Sequence, residues 1–248
     1  MDLQQGGMKL SGPVCAAVQL LAGAAAPADV DRRAADRLPC ARDAVLVFDA
    51  SGSMTGPGFG EKTTTRIATA REALREVLPE VAPARNLGLV VFGPGPRAPG
   101  ACANIDLRLP PAANSAERIM QELDAVHPYG QTPIAASVQR AAEVLDYRKR
   151  AAVIVLLTDG EETCGGNPCA LAETLKSDGV DTTVHVIGYM ATQASGMPGA
   201  YPTRCLPERT GGLFVGAETK DQLIAALRTT LGCAFSTELD QTLTVTRR

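Results

Sequence analysis

The chain has 248 residues and a mass of 25.8 kDa, enough for one α/β domain with a full core plus a leader and a tail. Lys+Arg 24 against Asp+Glu 27 is close to balance, and no basic run stands out. That argues against nucleic acid as a partner, and no segment after the leader is long and apolar enough for a transmembrane helix.

Residues 1–28 read as a signal peptide. The run "VCAAVQLLAGAAAPA" (14–28) is uncharged, too short to span a bilayer, and ends in small residues suited to cleavage. Asp2 and Lys9 make a weak n-region, and a start at Met8 would give a more ordinary one. Residues 29–42 then form a linker. Of the 7 cysteines, Cys15 would leave with the leader. The others, Cys40, Cys102, Cys164, Cys169, Cys205 and Cys233, make an even set that suits an oxidising compartment. The expected location is therefore outside the cytoplasm, periplasmic or extracellular. A zinc site at Cys164 and Cys169 lacks a second close pair and a nearby histidine.

From Asp43 onward strand and helix signals alternate, the pattern of βαβ units around a largely parallel sheet. The predicted strands 44–50, 87–93, 151–159 and 182–189 are continuous apolar runs, which implies burial on both faces. The run 103–109 alternates, as an edge strand does, and a short strand at 212–216 completes the set. Between them, Ile67, Ala70, Leu74, Val77 and Leu78 share a helix face that Pro79 should stop. Asn114 with Glu117 resembles a capping box for a second helix. Thr132 reads as an N-cap with Pro133 at the first helical position, and Asn167-Pro168 repeats the device. Thr219 with Gln222 opens the last helix, and Gly232 ends it. The tail 233–248 is either an edge strand or a linker.

Polar residues gather at the predicted strand ends. Asp49, Ser51 and Ser53 follow the first strand in "DASGSM", Asp159 ends "VIVLLTD", and Thr132 lies in "YGQTPI". In a parallel sheet ligands bind at the carboxyl ends of the strands, so these groups should meet there. Two carboxylates and three hydroxyls are hard oxygen donors, suited to Mg²⁺ with waters completing an octahedron. Turn and capping roles are the plain alternative for the same hydroxyls. Glu161 and Glu162 lie beside these groups and read as solvated loop charges, with an acidic rim as the alternative, while His185 reads as a core histidine and His127 as a loop residue. A strand-end phosphotransferase would want a second acid where Ser51 stands, and neither a Gly-x-Ser-x-Gly elbow nor a P-loop is present.

"DASGSM", "GQTPI" and "LLTDGEETC" together resemble the three parts of the metal-ion-dependent adhesion site of von Willebrand factor type A (VWA) domains. The cysteine-flanked "TDGEETCGGNPC" is similar to the exported bacterial branch of that family. The resemblance implies a VWA domain over 43–232. Its fold would be a three-layer α/β/α sandwich, Rossmann-like, on a six-stranded sheet of order 3-2-1-4-5-6 with one antiparallel edge strand. It implies that Ser51 and Ser53 bind Mg²⁺, or Mn²⁺ or Ca²⁺, directly, that Thr132 binds it directly in the ligand-bound state and through water otherwise, and that Asp49 and Asp159 hold metal-bound waters. A protein partner's Glu or Asp would complete the coordination, in a binding protein rather than an enzyme. The alternatives are an accessory subunit of an envelope complex and a Mg²⁺-dependent hydrolase. Two disulfide patterns are open: Cys40–Cys233 with Cys164–Cys169, or Cys102 and Cys205 each pairing into the Cys164/Cys169 loop.

Overall fold

The computed structural model describes residues 41–59, 63–94, 101–189 and 202–232. The expected leader, Cys40, Cys233 and the 233–248 tail lie outside the described residues. The strands are β1 (Asp43–Asp49), β2 (Asn86–Phe92), β3 (Ile105–Ala112), β4 (Ala151–Thr158), β5 (Asp181–Tyr189) and β6 (Phe214–Ala217). They form one six-stranded sheet in the order β3-β2-β1-β4-β5-β6. All neighbours pair in parallel except β3, which runs antiparallel to β2 at one edge. The architecture is the expected one.

The continuous apolar strands are buried on both faces, as two-sided packing requires. Ala44, Leu46 and Phe48 of β1 face one core, while Val45 and Val47 face the other. The first core is closed by helices α1 (Arg66–Val81), α2 (Ala116–Asp124) and α6 (Lys220–Leu231). The second is closed by α3 (Ile134–Val144), α4 (Pro168–Asp178) and α5 (Cys205–Thr210). Each fully buried Val, Leu or Phe contributes about 2 kcal/mol by leaving water. Among the described residues no helix is long and apolar enough to cross a membrane.

Three local expectations are corrected. Pro79 does not stop α1, which runs on to Val81, because Val81 and Ala82 are buried in the first core and repay the lost backbone bond. Asn114 is not a cap: it takes a left-handed φ of 51°, and Ser115 stands at the N-cap position, its hydroxyl turned to Leu87 O. The edge strand β3 extends through Pro110 and Pro111, which an edge tolerates, and register shifts occur near Leu89. The caps at Asn167 and Thr219 form as expected, accepting from Ala170 N and Gln222 N.

His185 is the expected core histidine. It is 3% exposed in mid-β5, and its Nδ1 accepts from Leu213 N at 3.1 Å. Burial pushes its pKa down to about 4, and the charge of Arg85 acts in the same direction. The folded pKa lies below the unfolded value, so the unfolded chain binds the extra proton between them. Stability from this group is complete above about pH 6.5 and is lost as pH falls toward 4, by about 3 kcal/mol. Burial raises the Asp49 carboxyl to about 7, which titrates with the opposite sign, so the comparison that isolates the imidazole is with His185→Gln. Between pH 7.5 and 4.5, the drop in melting temperature should be smaller in that variant than in the wild type.

Candidate metal centre

The site begins with backbone contacts at the carboxyl end of β1. Ala50 N donates to Phe92 O at 2.8 Å, and Gly93 follows with φ of +95°. A Cβ on Gly93 would lie 2.5 Å from Ala50 and from Ser51 N, so only glycine permits this approach. The 129–130 segment is laid on the same end. Tyr129 N donates to Ala50 O at 3.0 Å, Gly52 N to Gly130 O at 3.0 Å and Gly130 N to Gly93 O at 2.8 Å. Gly52 is needed for this closeness, since a Cβ there would stand 2.7 Å from Tyr129 O.

These contacts deliver the five predicted side chains to one edge. Asp49 Oδ1 accepts from Ser51 N at 2.8 Å, and its Oδ2 accepts from Thr158 Oγ1 at 2.5 Å. Ser53 Oγ donates to Asp159 Oδ1 at 2.7 Å. Its one hydrogen is thereby used, so Ser51 Oγ, 2.9 Å away, must be the donor to Ser53 Oγ. The two oxygens Ser53 Oγ and Thr132 Oγ1 lie 3.8 and 3.9 Å from where a Cβ on Gly160 would stand. Asp49, Ser51, Thr132 and Asp159 are buried, while Ser53 is exposed and marks the open side.

Burial pushes the Asp49 carboxyl up to a pKa of about 7, and the neighbouring Asp159 charge pushes the same way. The hydrogen bonds from Ser51 and Thr158 oppose the rise without cancelling it. With both carboxylates ionised, the single Arg66 guanidinium leaves this edge with one net negative charge. A divalent cation would offset it. The donor chemistry fits such an ion: hydroxyl and carboxylate oxygens only, with lone pairs left over on each. Among the described residues no three His, Cys, Asp or Glu side chains form a metal group, so a cation at this edge would need hydroxyl or water oxygens as well.

Thr132 differs from its sequence reading. Helix α3 begins at Ile134 with Pro133 at the N-cap position, and no side chain of that turn caps it. The cap comes from Glu162, whose Oε2 accepts from Ala135 N at 2.8 Å while its Oε1 accepts from Cys164 N at 2.8 Å. Glu162 is therefore not a solvated charge, although Glu161 is exposed. Thr163 completes the splint: its Oγ1 accepts from Thr132 N at 2.8 Å, and its own N donates to Thr132 O at 3.1 Å. Freed from capping, the Thr132 hydroxyl is available to the site.

Thr158, Thr163 and Arg66 are the neighbours of the site that sequence reasoning missed, and Glu162 it named but read as a solvated charge. Arg66 alone carried a signal, a cation on the first residue of a helix, where the dipole disfavours it.

The disulfides follow the second of the two open patterns: Cys102–Cys164 and Cys169–Cys205. Cys164 does not pair with Cys169, because Cys169 sits inside α4 against the start of α5, with Arg209 Nη1 donating to Cys169 O at 2.7 Å. Cys164 instead meets the 3₁₀ turn Ala101–Ala103 before β3. The proposed Cys40–Cys233 bridge lies outside the described residues.

Residues 44–162 match the family model described as the von Willebrand factor type A domain. The uncharacterized protein YwmD of Bacillus subtilis (strain 168) is 33% identical over 152 residues, which are 58% of this chain and 66% of YwmD. A solved von Willebrand factor type A structure from Catenulispora acidiphila superposes with a TM-score of 0.56 at 20% identity, over 77% of this chain and 42% of that one. Proximal thread matrix protein 1 from the mussel byssus, solved with a zinc-occupied MIDAS motif, gives 0.51 at 17% identity, over 76% and 44%. The chain thus spans just under two thirds of YwmD and less than half of either solved chain. At these identities the structural likeness concerns the fold.

Peptide mapping under non-reducing conditions should recover Cys102 linked to Cys164 and Cys169 linked to Cys205. On the chain-entropy model each bridge stabilises by about 4 kcal/mol, so reduction should lower the melting temperature sharply. A Cys164–Cys169 peptide would contradict the structure.

Proposed function

We propose, from the premise that this chain carries a von Willebrand factor type A domain, that it binds a divalent cation and, through that ion, an acidic side chain of a protein partner. Ser51 and Ser53 would hold the ion directly, Thr132 would hold it directly when a partner is bound and through water otherwise, and Asp49 and Asp159 would hold its waters. The observation that carries this reading is the convergence of three hydroxyls and two buried carboxylates on one strand-end edge, open to solvent at Ser53. The zinc-occupied MIDAS motif of the mussel protein supports it.

Mg²⁺ is the ion the donors suit best, with Mn²⁺ next. Ca²⁺ asks for more and longer oxygen contacts than this compact set offers. With neutral hydroxyls on the ion and carboxylates held back by water, the cation stays electron-poor and keeps a coordination position for a partner's Glu or Asp. The work is binding, not turnover. His185 is buried with Nδ1 engaged, and the serine hydroxyls are bonded to one another and to Asp159 rather than to a histidine base. The Cys102–Cys164 and Cys169–Cys205 bridges support an oxidising location, extracellular or periplasmic.

Calorimetry with Mg²⁺ should give a strong loss of affinity in both Asp49→Ala and Asp159→Ala, with the fold retained. Unchanged affinity in both would end the metal assignment. Thr132→Ala probes the partner. Because the Thr132 hydroxyl caps nothing, its loss should leave the melting temperature within about a degree or two of wild type. Capture of partners from surface-protein extracts should nevertheless fall more than Mg²⁺ affinity does. A complex that survives EDTA, or that forms at full strength with folded Thr132→Ala, would make the reading wrong.

A further inference from the structure

Arg66 is the first residue of α1, at the end of the helix whose dipole repels a cation. It is nevertheless folded inward. Its Nη1 lies 2.7 Å from Asp159 Oδ2, and its Nε donates to Pro57 O at 3.4 Å. The backbone holds it there too, with Arg66 N donating to Gly56 O at 2.8 Å. The Asp159 side chain is wholly buried and that of Arg66 is 20% exposed, so this pair is largely removed from water. The other oxygen of Asp159 is taken by Ser53 Oγ. The guanidinium thus sits on one oxygen of the carboxylate whose other oxygen holds Ser53, a proposed metal ligand.

We propose that Arg66 is the resident counter-cation of this site: it neutralises Asp159 while the divalent ion is away, and its charge weakens the hold on that ion when it arrives. The inference rests on the metal-binding reading and adds to it a residue that sets affinity. Removing one member of a buried ion pair leaves the other charge uncompensated, so metal-free protein needs Arg66. The guanidinium does not deprotonate in a protein, so its charge leaves the site only if the side chain swings out. A fixed positive charge within a few ångströms repels an incoming cation strongly at the effective dielectric of a half-buried site. There is a functional consequence. Two carboxylates, one guanidinium and a divalent ion leave the loaded site with one net positive charge, which attracts a partner's carboxylate. Without Arg66 the loaded site would be neutral.

The test is calorimetry with Mg²⁺ and with Mn²⁺ alone, alongside melting of the EDTA-treated protein. Wild type, Arg66→Gln, Arg66→Met and Arg66→Lys are compared. Loss of the charge in Arg66→Gln or Arg66→Met should tighten metal binding by roughly tenfold or more and lower the melting temperature without metal. Arg66→Lys keeps the charge and should stay within about threefold of wild-type affinity. The Gln and Met variants differ in their ability to bond Asp159, and a cooperative melt of either is enough to read the result. Wild-type binding with equal or weaker affinity in the uncharged variants would overturn the role of Arg66 while leaving the metal site standing. No binding of either ion by any of the proteins would overturn both.

Discussion

Two carboxylates buried at the ends of neighbouring strands are the constraint around which this structure is arranged. Asp49 ends β1 and Asp159 follows β4, and the two strands pair in parallel, with Phe48 opposite Leu157. An apolar sheet cannot hold two such charges without donors. The donors are all local to that edge: Ser51 N and Thr158 on Asp49, and Ser53 and Arg66 on Asp159. Burial, with the Asp159 charge beside it, still raises the pKa of Asp49, and in the proposed reading a cation at this edge would offset that cost.

The rest of the domain brings these groups together and keeps them there. Strands packed on both faces fix the heights of the strand ends, because a one-residue slip would exchange the side chains fitted to the two cores and spoil the packing of both. Gly93 and Gly52 then let three segments of backbone approach more closely than any side chain would allow. This is why a threonine more than seventy residues downstream in sequence reaches the hydroxyls after β1.

The loop after β4 works as a splint. Glu162 caps α3, Thr163 clasps the backbone of Thr132 from both sides, and Cys164 ties the loop to the turn before β3. Thr132 is therefore positioned through its backbone, which leaves its hydroxyl uncommitted. The disulfides sit at this edge, around the loops, where the hydrophobic core gives least support.

Much of this was legible in the sequence, and the reason is periodicity. Continuous apolar runs specify strands covered on both faces, and helical spacing with Asn-Pro and Thr-x-x-Gln signals specifies the helices between them. The five oxygen-bearing residues could be named because each lies at a predicted strand end or helix start. What a one-dimensional pattern does not contain is register and close approach. That Thr158 serves Asp49 depends on how β1 and β4 align, and that Glu162 rather than Thr132 caps α3 depends on a loop folding back across it. Pro79 continues its helix because burial of Val81 and Ala82 outweighs a local rule. The choice of Cys102–Cys164 over Cys164–Cys169 depends on α4 carrying Cys169 away toward α5. Arg66 is the clearest case: its place at a helix start is unfavourable locally, and only the three-dimensional meeting with Asp159 explains it. The sequence determined which groups were available, and the tertiary structure decided which of them share charge, because electrostatic pairing acts through space and not along the chain.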